Sequence, residues 1–191
     1  MRRLAVLMLL ILGSCATQSP PSRLDNACVI KLERPDWFSA MYRTEQRWGV
    51  PVAVQLATIY QESKFVGNAK TPRKFFLGVI PAGRRTSAYG YAQAVDGTWD
   101  WYRDDTGRRF AARNDFEDAS DFIGWYMDRS ERVVGIPKTD AFNQYLAYHE
   151  GHAGYLRGSH EHKTWLLRVA REVENMALLY SFQLAECGTV A

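Results

Sequence analysis

The sequence predicts a mainly α-helical single domain, on three observations. Apolar residues recur at helical spacing in one stretch after another, each bounded by Gly, Pro or a capping carboxylate. No alternating strand pattern of any length appears. Once an N-terminal leader is set aside, about 165 residues remain at most, enough for one core and too few for two ordinary domains.

Residues 1–14 read as an export signal, with Arg2 and Arg3 as the positive n-region and Leu4 to Leu12 as a short apolar core. That core is too short to span a bilayer. It runs into Leu12, Gly13, Ser14 and Cys15, which resembles the lipobox of bacterial lipoproteins, so Cys15 is the expected lipidation site. An ordinary secretory leader cleaved a few residues later is the alternative. Ala16 rather than Asp after the Cys implies the outer membrane, on its periplasmic face. Residues 15–27 then form the acylated Cys15 and a polar tether containing Pro20 and Pro21, and 28–191 the folded domain.

Within the domain, Pro35 to Trp48 reads as a helix opened by Pro and stopped by Gly49. Pro51 opens the next, where Val52, Leu56, Ile59 and Tyr60 make one apolar face that ends in Glu62. Val66 to Tyr89 is a long loop or short hairpin carrying Lys70, Arg73, Lys74, Arg84 and Arg85. This basic flap suits an anionic substrate or simply a solvated loop. Asp96 is a candidate N-cap for a short helix ended by Gly107. Asp115 caps a longer one through Val134, with Gly135 and Pro137 beyond it. Thr139 opens another to Tyr148, and Lys163 to Glu186 forms a last amphipathic helix. The aromatic residues Trp99, Trp101, Tyr102, Trp125 and Tyr126 could stack on rings of a ligand, but their helical spacing assigns most of them to the core.

Without Arg2 and Arg3 the chain has 22 basic against 21 acidic residues, so nucleic acid is not an expected partner. Cys28 and Cys187 remain after the leader, and an exported chain meets an oxidising compartment. A disulfide between them is expected; two separate buried thiols are the alternative, because sequence does not say that the ends are adjacent.

Glu62 stands out chemically. The helix macrodipole disfavours an anion at a C-terminus, and apolar neighbours would desolvate it, so both push its pKa upward. A carboxyl protonated near neutral pH can donate a proton. A solvated Glu closing a surface helix is the bland alternative.

Three pieces then fall in a telling order. Glu62, Ser63 and Phe65 come first, Gly90, Tyr91, Ala92 and Gln93 second, and Ala147, Tyr148, His149, Glu150 and Gly151 third. Over about residues 45 to 157 the chain resembles the lytic transglycosylases of the goose-lysozyme-like superfamily, whose motifs are E-S-x-F, G-L-M-Q and A-Y-N-x-G. The resemblance implies a lysozyme-like domain with no cofactor and no metal, acting on peptidoglycan glycan strands, and a possible place in a cell-envelope assembly. It implies Glu62 as the single catalytic acid and base, with Ser63 supporting it or the substrate's N-acetyl group. Gln93 and Tyr91 would line the saccharide groove, Tyr148 would set its hydroxyl against Glu62, and His149 would face the substrate.

Such chemistry is intelligible from first principles. Glycosidic cleavage through an oxocarbenium-like transition state needs a proton on the departing oxygen. A substrate N-acetyl group can replace the usual second carboxylate. In the family the anionic Glu then takes the C6 hydroxyl proton of the same N-acetylmuramyl residue, leaving a 1,6-anhydro sugar. A hydrolytic muramidase would need a positioned base, for which Asp96 and Asp100 are the nearby candidates. A non-catalytic peptidoglycan-binding lipoprotein is the third reading.

The sequence departs from the pattern in three places. Tyr91 and Ala92 replace Leu and Met, which repacking can absorb. His149 replaces Asn, which changes the available donors and charge. The interval from Glu62 to Gln93 is also about a dozen residues longer than the family's usual spacing, which marks the basic flap as an insertion. His149, His152, His160 and His162 cluster near Glu150 and Glu161, but their spacing is not that of a helical zinc site.

Overall fold

The computed structural model describes residues 19–76, 80–84 and 86–188. The expected leader, the lipidation site Cys15 and Arg85 of the flap lie outside the described residues.

Eight helices and one hairpin make up the described chain: α1 Ala27–Glu33, α2 Pro35–Trp48, α3 Val52–Ser63, β1 Arg73–Phe76, β2 Ile80–Arg84, α4 Asp96–Thr106, α5 Phe116–Val134, α6 Ala141–Glu150, α7 His152–Leu156 and α8 Thr164–Gly188. The chain is mainly helical, as the sequence predicts. No helix among the described residues is long and apolar enough to cross a membrane.

Helix α3 is the axis of the body. Val52 through Ile59 are all buried, so the expected single apolar face is an underestimate. A helix apolar nearly all round has to be enclosed, and α3 packs against α8, α2 and α5. Its polar residues are satisfied inside. Gln55 donates to the carbonyls of Met41 at 3.1 Å and Val50 at 2.8 Å and accepts from Ser120 at 2.8 Å. A buried amide left unpaired there would cost about 1–3 kcal/mol.

Sequence boundaries held within a few residues, with physical reasons for the shifts. Asp96 is the first helical residue of α4 rather than its cap, and its carboxylate pairs with Arg113 at 2.8 Å. Asp140, not Thr139, caps α6 and accepts from the Asn143 N–H at 3.0 Å. Asp115 caps α5 as expected, accepting from Asp118 N–H at 3.0 Å. The flap is an antiparallel hairpin whose register opposes Phe76 to Ile80 and Arg73 to Arg84.

Two aromatic groups build the core. Trp37 stacks on Phe116 with ring centroids 4.1 Å apart, with Phe65 and Tyr91 beside it. Trp99, Tyr102, Phe122, Trp125 and Tyr126 form the second; Trp101 alone of the expected set is substantially exposed. Between α2, α4 and α5 lies the buried carboxylate of Asp121, which accepts from Tyr102 at 2.7 Å, Trp48 at 2.9 Å and Arg47 at 3.2 Å.

Cys28 in α1 and Cys187 in α8 form a disulfide, with Cα atoms 6.0 Å apart. Residues 19–24, in the stretch expected as tether, bond to the helical body. Arg34 donates to the Ser19 carbonyl at 2.7 Å, Ser22 N–H to Glu33 at 2.9 Å, and Tyr180 to the Leu24 carbonyl.

Candidate active site

Glu62 occupies the last turn of α3. The chain then turns sharply, with Lys64 at φ 51° and Phe65 at φ 63°, both in the left-handed region. Each such non-glycine residue costs roughly 1–2 kcal/mol, and the conformation persists because Phe65 is fully buried against Trp37 and Tyr60. The turn ends the helix at the carboxyl.

Glu62 keeps part of its surface accessible while protein atoms crowd its carboxyl, so it is both reachable and poorly hydrated. Burial pushes the carboxyl up to about 7, and it is opposed by a hydrogen bond from Tyr145 and by the charge of Lys64. A group poised there is protonated often enough to donate and ionised often enough to accept.

Helix α6 supplies the wall. Tyr145 and Tyr148 lie one turn apart, on one face. Tyr145 hydrogen-bonds both Glu62 and the Gln61 side chain, and burial first and then the charge of Glu62 push its hydroxyl far above the ordinary range. It therefore stays a donor. Tyr148 is likewise raised, by burial and then by Glu62, but its hydroxyl donates to the Ala92 carbonyl at 2.5 Å. Tyr148 thus stands in the field of Glu62 while bonding to the second motif, and Tyr145 makes the contact expected of Tyr148.

The second motif is clamped from two sides. Gly90, at φ 82°, donates to the Ala69 carbonyl at 3.0 Å, and a Cβ there would sit 1.9 Å from the Arg113 carbonyl oxygen. Gln93, at φ 48°, donates its amide to the carbonyls of Ala69 at 3.0 Å and Gly90 at 2.8 Å. Its nitrogen therefore braces the scaffold. The Tyr148 bond to Ala92 closes the set, joining the second motif to the tyrosine that stands in the field of Glu62.

Three other expected site residues are placed differently. Tyr91 is 3% exposed, with its ring edge-on to Trp37 at 5.5 Å and Phe116 at 5.2 Å. It belongs to the core rather than to a groove wall, and Gly67 makes room, since a Cβ there would lie 2.8 Å from the Tyr91 ring. Ser63 is buried and donates back to the Ile59 carbonyl at 3.2 Å, as a helical Ser can. His149 sits 3.0 Å from the Glu150 carboxylate and edge-on to Trp165 at 5.2 Å.

Glu150 is the electrostatic opposite of Glu62. Burial pushes its carboxyl up, but bonds from Lys163 at 2.7 and 2.8 Å, from Ser159 and from His149 pull harder and hold it at about 2. It anchors the turn after α7. The other histidines are dispersed: His152 bonds Ser130 at 3.0 Å and stacks on Tyr126, and His160 stacks on Tyr155. Among the described residues no three His, Cys, Asp or Glu side chains gather as a metal site would require.

A buried helix that ends in one carboxyl titrating near neutrality, walled by two tyrosines, defines an acid/base centre on a lysozyme-like helical domain. Residues 3–187 match the family described as Transglycosylase SLT domain, and the chain belongs to that family. It is an SLT-type lytic transglycosylase whose substrate class is peptidoglycan. No curated protein matches the sequence.

Proposed function

We propose that the chain cleaves the bond between N-acetylmuramyl and N-acetylglucosaminyl residues of glycan strands without water, leaving 1,6-anhydro ends. Glu62 gives its proton to the glycosidic oxygen as the C1–O bond breaks, and the substrate's N-acetyl oxygen shields the cationic C1. The Glu62 carboxylate next accepts the C6 hydroxyl proton. The freed O6 closes on C1, which restores the acetamide and returns Glu62 to its starting form. Tyr145 keeps the carboxyl oriented through both steps.

One observation carries this reading: a single carboxyl raised to about 7, on which, among the described residues, Lys64 is the acting charge. The acids that could serve a water-using route are engaged elsewhere, Asp96 with Arg113 at 2.8 Å and Asp100 with Arg103 at 3.3 Å. Export, lipidation at Cys15 and attachment to the periplasmic face of the outer membrane belong to the same proposal. They rest on the leader pattern and on a short polar link from Cys15 to Ser19.

Digestion of purified sacculi tests the chemistry. Products lighter than reducing muropeptides by one water, absent with Glu62→Gln, are expected. Reducing ends would establish hydrolysis instead, and binding without turnover by both proteins would leave a non-catalytic lipoprotein.

A further inference from the structure

The segment that follows Cys15 joins the helical body beside an apolar groove. Arg34 donates to the Ser19 carbonyl at 2.7 Å and the Ser22 N–H donates to Glu33 at 2.9 Å, which fastens the chain where α1 meets α2. A groove of about 600 Å³ opens at the same junction, bounded by α1, α2 and the Cys28–Cys187 bond at the end of α8. Buried Phe38 lies in it with Leu32, Pro35 and Tyr42, and Lys31 supplies a cation.

Leu32 is 83% exposed and Tyr42 42%, which singly would be ordinary. Together with Lys31 they give one side of the body an apolar lining, an amphipathic ring and a positive charge. That set suits the boundary between acyl chains and phosphate headgroups. Reach points to the same partner. The four residues from Cys15 to Ser19 span at most about 14 Å when extended, whereas a domain of this length is about 40 Å across. An acyl anchor on Cys15 therefore holds the body by the α1–α2 junction and keeps its far side away from the bilayer.

We infer that the α1–α2 groove face rests on the phospholipid leaflet that holds the anchor, with Leu32 among the acyl chains and Lys31 against headgroup phosphates. The inference rests on the reading of Cys15 as a lipidation site and adds a second, non-covalent contact to it. Negative charge in the leaflet strengthens that contact through Lys31. The body is thereby held in one orientation on the membrane instead of swinging on a free link.

Fluorescence of the acylated full-length protein in vesicles of phosphatidylethanolamine and phosphatidylglycerol tests the face. The emission that Leu32→Trp adds to the wild type should fall by about half when the lipids carry bromine on their acyl chains, because such a face sits at the headgroup–acyl boundary. Leu156→Trp, at a 65% exposed position of α7, which packs against α5 and α6, should lose little. Adding Lys31→Glu to Leu32→Trp should weaken the quenching. Equal quenching at positions 32 and 156, or none at position 32, overturns the inference. So does a position 32 already shielded from iodide in the unacylated Cys15→Ser protein without vesicles, since the chain itself or a second copy would then cover the groove. Mass spectrometry of the same preparation keeps the two readings apart. Cys15 without acyl chains would overturn the anchor and this inference with it, whereas an acylated protein with an unquenched position 32 would overturn the proposed face alone.

Discussion

Replacing Glu62 by Gln should abolish turnover and stabilise the protein, and the stabilisation should depend on pH. The carboxyl is raised from 4.5 to about 7, chiefly by burial. The unfolded chain therefore begins to release this proton near pH 4.5, whereas the folded protein holds it until about pH 7. Between those values stability falls as pH rises, and above them the full cost is present. At 1.36 kcal/mol per pH unit it amounts to about 3 kcal/mol, or nearer 2 given the partial exposure of the side chain. Gln preserves shape, and its oxygen still accepts from Tyr145, so the variant escapes the cost without losing the contact. Urea unfolding of both proteins at about pH 4, 6 and 8 measures it. The two should match at the lowest pH, with the variant ahead by about 2–3 kcal/mol at the highest, a gain of roughly 4–10 °C in Tm. A gap independent of pH, or a variant that is weaker at about pH 8, would refute the assignment of a desolvated acid.

Further outcomes follow from the same geometry. Tyr145→Phe removes a hydrogen bond that lowers the Glu62 pKa, so the alkaline fall of the pH–rate profile should move upward while the fold is kept; an unmoved profile would exclude the contact. Asp121→Ala leaves the buried Tyr102 hydroxyl without its acceptor and takes a partner from Trp48 and from the exposed Arg47, and a loss of about 1–3 kcal/mol in chemical unfolding is expected. Reduction of the Cys28–Cys187 bond, which spans 159 residues, should cost about 2–5 kcal/mol, read as a lower melting temperature in reductant. Lys163→Met removes a partner that holds Glu150 at about 2. That pair stabilises above pH 4.5 and is lost as pH falls toward 2, so the variant's deficit should shrink in acid.

How much of this was legible in the chain depended on whether the signal was local. Gly49, Gly107 and Gly135 stop helices as left-handed C-caps, and Asp115 starts one, because capping chemistry acts within a turn. Glu62 was legible for the same reason, as a carboxyl closing an apolar helix. Tyr145 was not: it reads as one more core aromatic, and the motif Tyr lies one turn later. Its role follows only when α6 is laid against the end of α3, where residues three apart share a face. Tyr91 was misplaced because its motif position suggested a groove, whereas the space left by Gly67 lets the ring turn inward. Enclosure of α3 on every side was hidden for a similar reason. The residues that cover it come from α2, α5 and α8, and periodicity within one helix says nothing of how many neighbours it has. The short helices α1 and α7 went unread because a single apolar turn has no period to detect.

The centre of the proposal is a proton held by Glu62 near neutral pH. Carbon-13 NMR titration of the side-chain carboxyl, assigned by comparison with Glu62→Gln, measures that directly. A midpoint close to about 7 is expected, with Tyr145→Phe moving it higher. A midpoint near 4.5, the value of an ordinary solvated Glu, would contradict it, whatever products the protein releases.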